Sequence, residues 1–432
     1  MGKGESMACL SPFCRPVLRG GLLLVLVMAA TFPLSAQYNA DRYFTYLDNT
    51  FNEHDKSLQN LLVEELTHFL TLFPEDPNAG RVQYMLASVY REKGQEKLAL
   101  AHYLKMLMLY PNSGVVPANK DDMRAIIANE RAFRDQKDWL EELVDQDYSG
   151  LSTADAYIRY IPTLLKVESK GMREAVVEAC REFFRRFSSD SRNDQVVLWM
   201  AEAYLSSNDH REANNIFAKF TVLFPNSPQL ANVLFKQGEL YYREIRNPEK
   251  AIELLSRVVS DYPDSASAGN ALFTIAEIKG EKQMDYKGAV ADYQLLVAHY
   301  PANAQAVEGL WRAAQIRERR LEDYPGAVEL YGQIVEKYPA DPRGIEALEK
   351  MADIYEDRLS EYALAAESLA KLAEFYPTYE KVPERLIAAG EICEKRLNDA
   401  ARAVAYYQMV VDKFPGTDRA KDAAKKIEKA QQ

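Results

Sequence analysis

Aromatic residues recur along this chain at nearly constant intervals, each at the end of a stretch with helical periodicity. Successive aromatics stand about 38 residues apart, and the last five intervals are identical. The aromatics are Phe73, Tyr110, Tyr148, Phe187, Phe224, Tyr262, Tyr300, Tyr338, Tyr376 and Phe414. Proline follows eight of them, and serine follows Tyr148 and Phe187. So regular a period predicts an array of structural repeats in which each unit packs on its neighbours.

A helical stripe precedes each aromatic. In the copy that ends at Tyr300, the apolar residues Ala289, Tyr293 and Leu296 stand eleven, seven and four positions earlier. Spacings of four, three and four place these side chains on one face of a helix with 3.6 residues per turn. The helix should end at the aromatic, because the following proline lacks an N–H group and disfavours a helical conformation at its predecessor.

Small residues mark another helix in seven of the units, thirteen positions after the proline or serine. They are Ala87, Ala201, Gly238, Ala276, Ala314, Ala352 and Gly390. A small side chain lets a partner helix approach closely. Each unit is therefore expected to be two antiparallel helices, with the small residue of the first facing the alanine of the second.

These spacings resemble those of the tetratricopeptide repeat family, whose pattern Leu234, Gly238, Tyr241, Ala251 and Pro263 match well. The resemblance implies an all-α fold, a right-handed α-solenoid of about ten helix–turn–helix repeats. The family's usual repeat has about 34 residues. The four additional residues equal about one helical turn, so longer first helices are expected, toward segments such as 239–247.

The four-residue motifs that end the repeats are also similar to those of a narrower group of repeat proteins. Tyr-Pro-Asn-Ser at 110–113 and Tyr-Pro-Asp-Ser at 262–265 resemble motifs of periplasmic repeat proteins of Gram-negative bacteria. That group includes the outer-membrane assembly lipoprotein and the Tol–Pal coordinating protein. The resemblance implies a protein of the cell envelope.

The predicted organisation follows from the period. It comprises a signal peptide over 1–36, an N-terminal capping helix pair over 37–74, one repeat over 75–111, two degenerate repeats over 112–188, six regular repeats over 189–415 and a C-terminal capping helix over 416–432. In the degenerate repeats the small-residue positions hold Arg124 and Pro162, and the alanine positions hold Lys137 and Val176. Irregular packing or a hinge is expected there.

The first 36 residues have the pattern of a secretory signal peptide. Arg15 and Arg19 precede an apolar run over 21–32, and the small residue Ala36 follows it. Cleavage after Ala36 is expected, with translation starting at Met1 or Met7. The alternative is an uncleaved anchor, although the run is shorter than the about 20 residues of a spanning helix.

Export without a lipid anchor is the expected outcome. After the apolar run the first cysteine is Cys180, so no lipidation motif follows the leader, and here the chain departs from the assembly lipoprotein. The mature protein is therefore expected in the periplasm, at most peripheral to the outer membrane. Cys180 and Cys393 both fall at core positions several repeats apart, which argues against a disulfide between them.

Composition and motifs exclude several functions. The formal net charge is −11, and the leader holds three basic residues and one acidic residue, so the remainder carries −13. This charge disfavours nucleic acid and anionic lipid as partners. The five histidines lack metal-site spacing, and no nucleotide-binding or nucleophile-elbow motif occurs. No catalytic, cofactor or metal residue is predicted.

The resemblance places the candidate binding site on the first helices, which line the concave surface in tetratricopeptide arrays. The candidate residues are Phe235, Glu239, Tyr242, Phe273, Glu277, Trp311, Gln315, Asp353 and Glu391. A row of carboxylates beside an aromatic strip, Phe235–Phe273–Trp311, favours a protein or peptide partner with apolar and basic residues. The alternative is that these side chains pack between neighbouring first helices.

Two functions compete on this evidence. One is a secreted, non-enzymatic scaffold that binds protein or peptide partners through its concave face. The other is a structural subunit of an outer-membrane assembly or cell-envelope complex, bound through its end caps or convex surface. A large apolar patch away from the groove would favour the second. An enzyme whose repeats position a substrate is a third class without a supporting motif.

Overall fold

The computed structural model describes residues 39–167 and 172–431 and contains only helices in these ranges. The α-helices are α1 Ala40–Glu53, α2 Gln59–Leu72, α3 Ala79–Glu92, α4 Glu96–Leu109, α5 Lys120–Asn129, α6 Lys137–Asp145, α7 Thr153–Lys166, α8 Arg173–Arg186, α9 Asn193–Ser206, α10 His210–Leu223, α11 Leu230–Leu240, α12 Pro248–Asp261, α13 Ala268–Glu281, α14 Tyr286–His299, α15 Ala306–Arg319, α16 Tyr324–Lys337, α17 Arg343–Ile354, α18 Tyr362–Phe375, α19 Val382–Arg396, α20 Ala400–Lys413 and α21 Asp418–Ala430. The predicted all-α solenoid of helical repeats is confirmed. The leader predicted over 1–36 lies outside the described residues.

The helices form two compact units. Unit 1 extends to Tyr160, and unit 2 begins at Ile161. Within unit 2, each helix from α9 to α20 packs on the next one along the chain, and α21 packs on α20. The predicted stripe lies in the core of unit 2, since Ala289, Tyr293 and Leu296 are all buried.

Nine of the ten periodic aromatics end the second helix of their pair. Each lies at the C-cap, where its N–H donates to the carbonyl four residues earlier, as Tyr262 does to Val258 at 3.1 Å. The exception is Tyr148, which lies beyond α6 and donates its hydroxyl to the Leu143 carbonyl at 3.0 Å. The helix stop predicted at the aromatic is therefore a backbone feature shared by nine of the ten units.

The turn between the helices of a pair has its own period, which the sequence analysis missed. A residue with positive φ follows the first helix at Gly94, Asn208, Arg246, Met284, Glu322, Ser360 and Asn398. From Asn208 onward the step is constant and equals that of the last five aromatics. The next residue usually caps the second helix, as when Asp285 accepts from the Gly288 N–H at 2.9 Å. Such a cap satisfies one of the free N–H groups at a helix start.

The additional length lies partly in the first helices, as expected. Beyond α11 the chain continues as a π-helical turn over Tyr241–Ile245, and beyond α17 as one over Tyr355–Leu359. In each case the left-handed residue then ends the helix, Arg246 in one repeat and Ser360 in the other. Within the predicted segment 239–247, the π-helical residues 241–245 therefore extend the first helix of the repeat.

The small residues of the first helices face larger partners than expected. A Cβ on Gly238 would lie 2.7 Å from Leu255 Cγ and 3.4 Å from the Ala251 carbonyl oxygen. A Cβ on Gly390 would lie 2.3 Å from the Tyr407 ring. The small residue at Gly238 therefore has the alanine of the second helix, Ala251, among its neighbours, as predicted. Its main neighbour is the large side chain one turn further on, which fills the space that a missing Cβ leaves.

The degenerate repeats are irregular in the structure. Short 3-10 segments, Pro117–Asn119 and Arg131–Gln136, flank the ten-residue α5, and α6 has only nine residues. Pro162 lies inside α7. Arg124, at a small-residue position, pairs instead with Asp121 and Asp145 at 2.8 and 2.6 Å. A long charged side chain cannot occupy a tight helix–helix contact, so it turns outward.

Candidate protein-binding groove

The first helices of three successive repeats in unit 2 enclose the candidate site. A cavity of about 830 Å³ lies over α13 and α15 and reaches Arg343 at the start of α17. Its lining includes Glu277, Trp311 and Gln315, three of the predicted residues. We refer to this cavity as the unit 2 groove.

The aromatic strip is less exposed than the sequence predicts. Phe273 is only 4% exposed and meets the Tyr293 ring edge-on, with centroids 5.4 Å apart. Trp311 is half-buried and meets Tyr331 in the same manner at 5.1 Å. Phe235 is half-buried and lies outside the groove lining. The prediction of an exposed three-residue strip is wrong at Phe273, because the second helix of its own repeat covers it. Of the three aromatic residues, only Trp311 belongs to the groove lining.

The predicted carboxylate at the centre of the groove is enclosed by arginines. The Glu277 side chain is 10% exposed, and Arg312 donates to it at 2.7 Å. Arg243 lies 3.9 Å away on the other side. Burial raises the pKa of Glu277 above 4.5, and the two arginines act in the opposite direction. The side chain is therefore part of a wall rather than a free charge.

The ionic network continues along the groove. Arg312 also donates to Glu308 at 2.6 Å, and Glu308 pairs in turn with Arg343 of the next first helix. Burial alone would lower the pKa of Arg312, but its hydrogen bond to Glu308 and the neighbouring Tyr293 and Glu277 raise it. Its guanidinium lies over the Phe273 ring, 5.2 Å from the centroid. Arg312 thus binds two repeats together from the floor of the groove.

Cations outnumber carboxylates in this groove. Five basic side chains line it (Lys282, Arg312, Arg319, Arg320 and Arg343), against three carboxylates (Glu277, Glu281 and Glu308), a net charge of +2. The expectation of an acidic groove is therefore wrong here. That expectation considered a single position in each repeat. The cation that compensates Glu277 is Arg312, which lies on the next first helix, 35 residues further along the chain.

Two family comparisons identify the repeats. Residues 160–372 match the family described as outer membrane lipoprotein, and residues 392–417 match the family described as tetratricopeptide repeat. The chain therefore contains helical repeats that resemble the tetratricopeptide repeat family. It resembles members of that family found in the cell envelope. No curated protein matches it.

Several solved structures are similar to this chain. A tetratricopeptide repeat protein from Parabacteroides merdae is 16% identical, covering 64% of this chain and 98% of its own, with a TM-score of 0.35. The C-terminal part of a repeat-containing protein from Cytophaga hutchinsonii is 15% identical, covering 61% and 98%, with a TM-score of 0.36. PilW, described as a widely conserved type IV pilus biogenesis factor, is 15% identical, covering 54% and 100%, with a TM-score of 0.29. Likenesses of this level carry no functional conclusion.

The other predicted site residues of the repeat protein lie away from the groove lining. Tyr242 donates its hydroxyl to Glu281 at 2.9 Å, and Glu239 lies 3.7 Å from Arg243. Asp353 is exposed, 4.0 Å from Lys350, and Glu391 binds Lys426 of α21 at 2.8 Å. Lysines hold the pKa of Glu391 below its usual range. Glu391 thus connects α19 with α21, the packing role named as the alternative, whereas Glu239 and Asp353 each pair with a cation of their own helical segment.

Three features of the described residues concern metal binding, membrane insertion and thiol reactivity. Within them no group of three or more histidine, cysteine or acidic side chains is placed to hold a metal ion. None of the described helices is both long and apolar enough to cross a membrane. Cys180 and Cys393 are buried, free thiols, and burial raises the pKa of both. A thiol of that kind is a poor nucleophile.

Proposed function

We propose that this repeat protein is a non-enzymatic scaffold of the bacterial cell envelope that binds a segment of another protein in the unit 2 groove. Repeat families of this kind are generally protein-interaction scaffolds. The outer membrane lipoprotein family over 160–372 and the secretory pattern of the first 36 residues support an envelope location.

One observation carries the choice of site. The groove combines about 830 Å³ of space with a half-buried Trp311 and the amide of Gln315, on walls fixed by ion pairs between repeats. A preformed cavity with an aromatic anchor and a few polar groups is the usual form of a binding site. Fixed walls reduce the entropy that a partner must overcome on binding.

Site-specific photo-cross-linking tests the proposal. A photoreactive phenylalanine analogue would replace Gln315 in the groove, and in a matched strain Arg257 on the exposed face of α12. We expect one or a few discrete cross-linked proteins from position 315 and none from position 257. Cross-linking at neither position, or equally at both, would contradict groove binding.

A second candidate function has its own support. Val222 and Leu223, at the end of α10, are 77% and 61% exposed and lie outside the groove lining. Two adjacent exposed apolar side chains offer a contact point for a neighbouring subunit of an assembly. A cross-linker at Val222 would react with an assembly partner if the chain is a structural subunit of an envelope complex.

A further inference from the structure

Four basic side chains recur, one in each of four successive repeats, where the first helices of unit 2 end. They are Lys282, Arg320, Arg358 and Arg396, which are evenly spaced at the repeat period and which we call the basic ladder. Lys282 and Arg320 are the C-caps of α13 and α15, Arg358 lies in the π-helical turn after α17, and Arg396 is the last residue of α19. All four are exposed.

Each arginine of the ladder lies over a tyrosine of the preceding repeat. Arg320 lies 5.7 Å from the Tyr286 ring centroid. Arg358 lies 5.5 Å from Tyr324, and Arg396 lies 5.5 Å from Tyr362. These tyrosines recur with the same period, each as the first residue of a second helix. A guanidinium against a ring is held by cation–π attraction.

Most of the ladder lacks an acidic partner. In the described ranges no carboxylate lies within 4 Å of Lys282, Arg320 or Arg358, and Arg396 has only Glu356, at 3.7 Å. Arg312 and Arg343 in the groove, by contrast, are both paired. An arginine against a ring has one face covered, while the N–H donors in its plane remain available. That arrangement suits bidentate binding of a carboxylate.

The helix dipole explains part of this pattern. A cation at a helix C-terminus interacts favourably with the helix dipole, and lysine or arginine at any residue of the last turn would supply it. The dipole does not require the same position in four successive repeats, nor a ring beneath each arginine. The ladder therefore has a regularity that helix stability alone leaves unexplained.

We propose that the basic ladder docks an acidic segment of a partner protein, which lies across the first-helix ends with carboxylates spaced to meet successive repeats. The inference rests on the proposed function for its premise that the partner is a protein. It deepens that function because Lys282 and Arg320 also line the groove. An anionic bilayer fits less well, because Glu281 and Asp357 directly precede Lys282 and Arg358. Interleaved carboxylates repel a uniformly anionic surface but leave each cation accessible to a peptide.

Fluorescence polarisation with a labelled short polyglutamate peptide tests the ladder. The test variant is Arg320→Gln/Arg358→Gln/Arg396→Gln. The matched control, Lys219→Gln/Arg257→Gln/Lys371→Gln, removes the same charge from second helices. We expect the parent to bind, the control to bind nearly as well and the ladder variant to lose about tenfold in affinity. Equal losses in both variants, or no binding by the parent, would overturn the proposal.

Further arms separate the competing explanations. The charge-preserving Arg→Lys variant at the same three positions should bind severalfold more weakly than the parent, because lysine lacks the planar donors. Tight binding to phosphatidylglycerol vesicles, without peptide binding, would point to a lipid surface and reject the proposal. If the ladder binds polyglutamate while position 315 cross-links nothing, the proposed groove fails and the ladder stands.

Discussion

At the scale of single residues, the burial of His102 contributes to the acid sensitivity of unit 1. It is buried in α4, where Gln83 Nε2 lies 2.9 Å from its Nδ1 and the Tyr90 ring is stacked on it at 4.9 Å. Burial, reinforced by the charge of Lys105, lowers the pKa of His102 to about 3. The imidazole is therefore neutral throughout the physiological range.

This burial predicts acid lability of unit 1. The unfolded chain binds a proton at His102 near its ordinary pKa of 6.5, whereas the folded chain does so only near 3. The free energy of unfolding is therefore expected to fall as the pH drops from 6.5 toward 3, and to be independent of this residue above that window. Denaturant titrations followed by Trp139, with Trp199 and Trp311 replaced by phenylalanine, would measure it. In His102→Gln the dependence should weaken, and an unchanged slope would refute the assignment.

Helix contact within a repeat depends on residues of minimal size. Ala289 is fully buried, and its Cβ would lie 3.5 Å from a Cβ placed on Gly280 of α13. Ala289→Leu should overpack this contact and cost roughly 1–3 kcal/mol. The control Ala298→Leu changes an exposed position on the same helix and should cost little. Thermal unfolding would compare the two, and equal melting temperatures would show the packing register to be wrong.

At the scale of the helix pair, the left-handed residue between the helices is a shared backbone requirement. Six positions from Asn208 to Asn398 adopt it with side chains as different as Arg246 and Met284. Only glycine adopts this conformation without steric cost. Because the residue types at these positions differ, the sequence does not show the period of the left-handed residue, whereas the backbone φ angles do.

Met284→Gly should stabilise unit 2. The residue has φ of 55° and is 70% exposed, so the change relieves strain and loses little packing. A gain of up to about 1 kcal/mol is expected. Glu281→Gly, within the last turn of α13, should instead cost at least about 0.5–1 kcal/mol, because it adds a helical glycine and removes the acceptor of the Tyr242 hydroxyl. Urea titration distinguishes them, and a loss of stability in Met284→Gly would contradict the strain argument.

At the scale of the whole molecule, the regular repeats were readable from sequence because helix spacing, proline stops and buried alanines all have one period. The irregular region around α5 and α6 was predictable only as a break in the pattern. Arg124 and Pro162 show that a tight helix contact is missing there, but they do not specify the short helices that replace it. Those helices depend on contacts particular to that region.

The location of the candidate site was predictable from the sequence, but its charge and the exposure of its aromatic residues were not. The concave positions led to Glu277, Trp311 and Gln315, which the structure brings into one groove. Its charge depends on Arg312, whose partners lie in its own helix and in the preceding repeat. The burial of Phe273 depends on a ring of the following helix. Contacts between repeats depend on how the neighbouring helices are aligned in space, and the residue at one sequence position does not reveal that alignment.

The central claim is that the unit 2 groove binds a protein segment. The most direct test titrates the partner identified by cross-linking at position 315 against the parent, Trp311→Ala and Phe375→Ala by calorimetry. Phe375 is an exposed aromatic on α18 outside the groove lining, and circular dichroism would first establish that all three are equally folded. Loss of an aromatic anchor costs about 2 kcal/mol or more, so Trp311→Ala should bind at least about thirtyfold more weakly. Phe375→Ala should bind like the parent, whereas full affinity in Trp311→Ala would contradict the claim.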